Sequence, residues 1–350
     1  MKLNNLTPRV KTNICFALLL LAASFISSCQ KYASPAPDAN LAANVSNNNL
    51  TSLATTTSKY KLTAPIYLIN ASNITISGDS INGGNNICVT LINCNNIHIT
   101  NSKLMNSPGQ RGVSIYNCKN VTVDYCYVSN VATGVYAHTS TGVRVMNNQF
   151  LNMKGTYGCF VQFDGVYGAG NRICYNKCEN VDGIANANIG DGINLYQSNG
   201  LATDQIYVLG NWIRGGGHNA SMGFSGIVLG DLGGSYQDVE GNILVNTGFV
   251  GIQTQGGTHL TVKSNKIYSD KLAWSCVGLA SKNYSSSASN NNTITGNTVN
   301  WKAGYLNQGQ RDTTFSAAKS NVMPTGWKVN TVKAAITSAI LPAKMIVQPY

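Results

Sequence analysis

The chain has 350 residues, of which 43% are hydrophobic and only 11% charged, and its formal net charge is +11. The positive balance favours anionic partners, but lysines and arginines form no clusters of the kind that nucleic-acid binding needs. Ten cysteines are present, and none has the Cys/His spacing of a zinc site.

The chain opens with Lys2, Arg9 and Lys11, then an apolar run from Ile14 to Ile26, then Ser27-Ser28-Cys29. A basic stretch, a short apolar stretch and small residues before a cut describe an export signal too short to span a membrane. The cysteine after Ile-Ser-Ser resembles a bacterial lipobox, which implies lipidation of Cys29 after removal of residues 1–28. Gln30 follows, not aspartate, so the resemblance to Gram-negative lipoproteins implies an outer-membrane anchor; an ordinary signal peptide with an incidental cysteine is the alternative. Residues 29–59 are rich in Ser, Thr, Asn, Ala and Pro and read as a flexible tether. The tether leaves the N-terminal lipid as the link to the membrane.

From about residue 60 the sequence repeats. A segment of the form apolar-x-apolar-x-x-Asn-x-apolar recurs, with anchors at Ile76, Ile99, Val123, Val145, Ile173, Val208, Val239, Val262 and Ile294. Three residues after the last six anchors stand Asn148, Asn176, Asn211, Asn242, Asn265 and Asn297, where the first three copies have Asp79, Ser102 and Cys126. A second segment, Gly-apolar-x-apolar, precedes later copies, as in Gly112-Val-Ser-Ile, Gly134-Val-Tyr-Ala, Gly158-Cys-Phe-Val, Gly192-Ile-Asn-Leu and Gly226-Ile-Val-Leu. Period-two alternation in short runs between Gly/Asn turns predicts strands and leaves little room for helices. One asparagine per coil predicts a ladder of side-chain amides stacked at the strand spacing of about 4.8 Å. The prediction is an all-β solenoid, a coil of parallel strands with about nine turns. Of the eight cysteines beyond Cys29, most are expected to be buried thiols, with Cys94 and Cys118 placed to stack.

These features, with Asn73-Ile-Thr-Ile and Asn120-Val-Thr-Val, resemble the right-handed parallel β-helix proteins of the pectate-lyase-like superfamily. The resemblance covers about residues 64–300 and implies a single-stranded right-handed parallel β-helix over 60–303. Both ends of such a stack need caps, which residues 60–70 and the extension 304–350 are expected to supply. The superfamily holds lyases, glycosidases, epimerases, adhesins and non-catalytic surface proteins, so the resemblance implies no single activity. The paired-aspartate motifs of polygalacturonases and the Asp-Pro-His motif of mannuronate epimerases are absent.

Outward positions of the glycine strands read Ser114, Tyr136, Phe160, Asn194, Val228, Gln253 and, beside them, Tyr116, His138, Gln162, Tyr196, Gly230, Gln255. Aromatic rings stack on sugar faces and amides bond hydroxyls, so Tyr116, Tyr136, Phe160, Gln162, Asn194, Gln253 and Gln255 are candidate polysaccharide contacts. Anchor spacing widens to 35 residues between Ile173 and Val208 and 31 between Val208 and Val239. The extra residues, in 179–190 and 215–224, are expected to wall a groove past Asn194 and Tyr196.

Eight of thirteen acidic residues fall between 164 and 240. Asp164 and Asp231 follow equivalent strands two coils apart, about 10 Å, near the separation of the acid and base in inverting glycosidases. Asp191 precedes its strand, about 20 Å from that column, and reads as a turn cap beside Gly192. Arg214 borders a glycine run and can fork onto a uronate or a neighbouring carboxylate. His218 on that run reads as a solvated loop residue.

Three readings follow. A lyase for an acidic polysaccharide would neutralise the uronate with Arg214, or with calcium held by Asp164 and Asp231, and remove the C5 proton with Tyr196 or His138. An inverting hydrolase would use Asp164 and Asp231 as acid and base. A glycan-binding or structural surface lipoprotein without catalysis is the third, and under each reading the protein is expected to be a monomer.

Overall fold

The computed structural model describes residues 59–180, 189–217, 224–284, 288–316 and 322–347. Cys29 and the rest of residues 1–58, most of the two predicted walls (181–188 and 218–223) and His218 lie outside the described residues.

The described chain is a parallel β-helix in which each turn lays down strands on three faces. The anchor face carries strands such as Asn95–Thr100, Lys119–Asp124, Thr141–Met146 and Ile206–Leu209. Its nine anchors pair consecutively and in register from Ile76 to Ile294, every pairing parallel. The middle face follows the ladder asparagines, with strands such as Lys177–Glu179, Trp212–Arg214 and Ile243–Val245. The glycine face carries Val161–Asp164, Ile193–Tyr196, Ser225–Asp231 and Val250–Thr254. Two long strands, Lys103–Tyr116 and Tyr127–His138, run through middle and glycine faces without a break. Inward side chains of all three faces form one continuous apolar core.

The amide ladder is present and longer than the repeat predicts. Each Nδ2 donates to the next Oδ1 at 2.8–3.1 Å from Asn148 through Asn176, Asn211, Asn242, Asn265 and Asn297 to a seventh member, Asn330. Each Oδ1 also accepts the backbone N–H of the preceding asparagine, and the second amide proton goes to a backbone carbonyl on the anchor face. Every buried polar atom of the rung therefore has a partner. Cys94 and Cys118 stack as expected, the Cys94 N–H donating to Cys118 Sγ at 3.2 Å, and the column continues into Ser140. The eight cysteines from Cys88 to Cys276 are buried free thiols.

The ends differ from the expectation. Residues 60–70 are the first turn itself: Lys61–Thr63 pairs with Asp79–Ile81 and Ile66–Ile69 with Val89–Ile92. The C-terminal extension divides in two. Thr325 and Thr331 bridge to Thr293 and Thr298, and Trp327 packs on the core, so residues 325–331 close the stack. Residues 336–347 instead turn back along the middle face. Asn300 donates to the Ile336 carbonyl, Arg214 to those of Pro342 and Ala343, and the Val347 N–H reaches Gln149. Leu341, Met345 and Ile346 cover Tyr127, Val245 and Tyr268 there. The chain buries these apolar side chains against an outward face that would otherwise be wet.

Asn211→Ala removes the acceptor of both Asn176 donors inside the core. Each stranded donor costs about 1–3 kcal/mol, so urea unfolding should show a loss of at least about 2 kcal/mol. A change under about 0.5 kcal/mol would mean that the ladder is not a principal support.

Candidate functional site

On the glycine face, register decides which side chains meet. Val161 pairs with Val135 on one side and Ile193 on the other, so Phe160, rather than Gly158, holds the place of Gly134 and Gly192. The outward columns are therefore Ser114, Tyr136, Gln162, Asn194, Val228, Gln253 and, beside them, Tyr116, His138, Asp164, Tyr196, Asp231. Phe160 faces inward, fully buried with its ring 6.3 Å from Phe150, and is a core residue instead of a sugar platform. A two-residue slip in a strand of period two leaves alternation intact, so the hydrophobic pattern alone did not expose it.

The first column is also covered. Ser114, Tyr136, Gln162, Asn194, Val228 and Gln253 are all buried, which removes Tyr136, Gln162, Asn194 and Gln253 from direct sugar contact. Gln253 donates to Ser225 Oγ. Tyr116, His138, Asp164 and Tyr196 in the second column reach solvent, as does Gln255 beyond it.

Around His138 the contacts converge. Tyr136 donates its hydroxyl to Asp164 Oδ2 at 2.6 Å, and the same oxygen lies 3.4 Å from His138 Nδ1. Burial first, and that carboxylate second, raise the Tyr136 pKa, so its phenol stays protonated. His138 stacks parallel to Tyr136 at 6.3 Å and meets Tyr116 edge-on at 6.1 Å. Its Nδ1 is buried while the side chain as a whole is 45% exposed, which makes Nε2 the accessible nitrogen. Arg111 lies with its guanidinium carbon 3.8 Å over the Tyr136 ring and donates to the Tyr116 hydroxyl. This is a cation, an imidazole beside a carboxylate and two phenols within three turns of the coil.

Arg111 is the residue that strand positions miss. It stands directly before Gly112, as Asp191 stands before Gly192, and that place borders the face. Arg214, by contrast, lies on the middle face. It pairs with Glu179 Oε1 at 2.7 Å and holds the returning C-terminal strap, so it takes no part in this site.

Asp191 also departs from expectation. Asn194 Nδ2 donates to Asp191 Oδ2 at 3.0 Å and to Asp231 Oδ2 at 2.9 Å, bringing together two carboxylates that counting along extended strands separates. The cause is a bulge: Asn194 pairs with Val228 but Tyr196 with Asp231, and Gly230 takes φ 61° between them. Asp191 retains a cap-like bond as well, its Oδ1 accepting the Ser225 N–H at 2.7 Å. Burial, then repulsion from Asp231, pushes the Asp191 carboxyl up to about 7.

Asp164 and Asp231 do share a column, with Tyr196 between them. They turn apart, Asp164 towards Tyr136 and Asp231 towards Asn194, two strand steps or about 10 Å distant. Calcium ligands lie about 2.3–2.6 Å from the ion, so these two aspartates do not form a joint calcium site. Among the described residues no three His, Cys, Asp or Glu side chains converge as metal ligands do.

The family described as right-handed β-helix region matches residues 64–228. The fold is a right-handed parallel β-helix. Solved β-helix structures resemble it at low identity. A DFA-IIIase mutant from Arthrobacter chlorophenolicus A6 in complex with DFA-III is 11% identical, with 76% of this chain and 60% of that one covered and a TM-score of 0.48. A tailspike protein mutant of E. coli bacteriophage HK620 is 13% identical over 66% of this chain and 47% of its own, with a TM-score of 0.47. A further tailspike mutant, in complex with a pentasaccharide, is 12% identical over 78% and 60%, with a TM-score of 0.46. This β-helix protein thus spans about half to three fifths of those chains. No curated protein matches it.

A carboxyl raised from 3.8 to about 7 on folding keeps its proton while the unfolded chain releases one. Stability therefore falls as pH rises between those values and levels off above them. Asp191→Asn, which keeps the acceptor for Ser225, should flatten that slope and stabilise the protein at pH 8 by a few kcal/mol. Urea midpoints from pH 4 to 8 that move identically in wild type and variant would contradict the assignment.

Proposed function

We propose that this β-helix protein binds an acidic polysaccharide along the glycine face and cleaves it by β-elimination. The supporting observation is the arrangement around His138: the Asp164 carboxylate lies 3.4 Å from Nδ1, Nε2 is the more accessible nitrogen, and Arg111 over the neighbouring Tyr136 ring is the nearby cation. Arg111 takes the role that the sequence assigned to Arg214.

In this reading Arg111 and the Tyr116 hydroxyl hold a uronate carboxylate. His138 Nε2 takes the proton from C5, the electron pair forms the C4–C5 double bond, and the C4–oxygen bond breaks. Arg111 stabilises charge that builds on the carboxylate as the proton leaves. Tyr196, half-exposed in the turn after Asp164, returns a proton to the departing oxygen. Asp164 and Tyr136 are positioning residues: the carboxylate lies beside Nδ1, and the Tyr136 ring stacks parallel to the imidazole and so limits its orientation. The low charge density and net positive balance of the chain are consistent with an acidic polymer held by few contacts.

A second reading, inverting hydrolysis by Asp164 and Asp231, is favoured by their shared column. The proposal also includes the address: Cys29 carries lipid and the tether of residues 29–59 links the solenoid to the outer membrane, on the strength of the lipobox-like Ile-Ser-Ser-Cys.

Purified protein should release unsaturated, ultraviolet-absorbing products from a polyuronate. His138→Ala should lower kcat by about 10²- to 10⁴-fold, and Arg111→Ala should lower kcat and raise KM, with thermal midpoints near wild type. New reducing ends without the unsaturated chromophore would select hydrolysis. Binding without either product would overturn catalysis altogether.

A further inference from the structure

Where the anchor face turns into the middle face, one position per coil takes a left-handed backbone. Its occupants are Gly78, Asn101, Tyr125, Asn147, Tyr175, Gly210, Gly241, Ser264 and Gly296, with φ between 46° and 73°. Glycine and asparagine accept this conformation readily, whereas a ring-bearing side chain there is strained by about 1–3 kcal/mol. Two tyrosines nevertheless hold it, and they are the most exposed tyrosines among the described residues, at 60% for Tyr125 and 61% for Tyr175.

Their surroundings fit one ligand chemistry. Gly210 follows Tyr175 in the column, and a Cβ built on it would meet the Tyr175 ring at 2.8 Å. The ring therefore lies over the bare backbone of the next coil, leaving its other side to solvent. Tyr125 and Tyr175 are two coils apart, since Asp124 pairs with Met146 and Met146 with Cys174. Two strand steps are about 10 Å, close to the distance between alternate rings of an extended sugar chain. Asn101 and Asn147 flank Tyr125 in the same column and supply amides to bond hydroxyls. No other member of the column is a large apolar residue, whereas a protein interface would centre on an apolar patch.

We propose that Tyr125 and Tyr175 form a second polysaccharide-binding edge, separate from the His138 site, on which pyranose faces stack. The proposal rests on the reading that the ligand is a polysaccharide, but not on any reaction at His138. Such an edge holds a polymer to the solenoid while the glycine face works on it.

The test is affinity electrophoresis in gels containing polygalacturonate, alginate or a neutral soluble glucan, with thermal midpoints measured alongside. The double variant Tyr125→Asn/Tyr175→Asn installs the residue that the column already uses at 101 and 147. It should melt at or above the wild-type temperature, yet bind the retarding polymer at least about tenfold more weakly. Tyr125→Phe/Tyr175→Phe keeps the rings and should be retarded like wild type. His138→Ala/Arg111→Ala should lose product release but keep retardation from this edge, which separates the two assignments. Equal retardation of the Asn variant and wild type would overturn the proposal, as would equal losses in the Asn and Phe variants. So would a wild-type protein that none of the three gels retards.

Discussion

The asparagine column is the constraint on which the molecule depends. Seven carboxamides, Asn148 to Asn330, the first six of them buried, spend their amide protons and carbonyl oxygens on one another and on neighbouring backbone. An amide one step out of place would strand donors and acceptors where no water reaches. The ladder therefore fixes the rise per coil at the strand spacing and locks register on every face. That spacing sets the distances at the proposed site, because His138, Asp164 and Tyr196 are successive members of one column.

Given that frame, the chain builds its polar clusters by small local departures from regularity. The slip that puts Phe160 in the glycine position turns Asp164 outward next to His138. The bulge at Gly230 swings Asp231 back to Asn194, which then holds Asp191 as well. A buried carboxylate pair bridged by one amide is a destabilising element, as the raised Asp191 carboxyl shows. The apolar strap of residues 336–347 adds burial along another face, where Arg214, itself paired with Glu179, holds its backbone.

The fold was legible because its signal is redundant. Nine anchors and six asparagines repeat the same statement, and the structure pairs them in the predicted order. Asn330 escaped because the last turn carries no Gly-apolar strand to mark it. The candidate site was legible only in part, for it depends on exceptions. His138 and Tyr196 read as outward residues, whereas Asp164 reads as a residue after its strand and Phe160 as an outward one, because period-two alternation does not record the slip. Straight-strand arithmetic has no bulges, so it leaves Asp191 apart from Asp231. Arg111 precedes its glycine and so falls outside the strand pattern, and nothing in the neighbours of Arg214 reveals a strap that begins more than a hundred residues later. Tyr125 and Tyr175 carry a signal of a different kind, a side chain in a place where the repeat asks for Asn or Gly.

The most direct measurement of the account is a crystal structure of the protein with a bound oligouronate. The sugar should lie on the glycine face with a carboxylate on Arg111 and C5 facing His138 Nε2. An oligouronate held with no contact to either residue would contradict it.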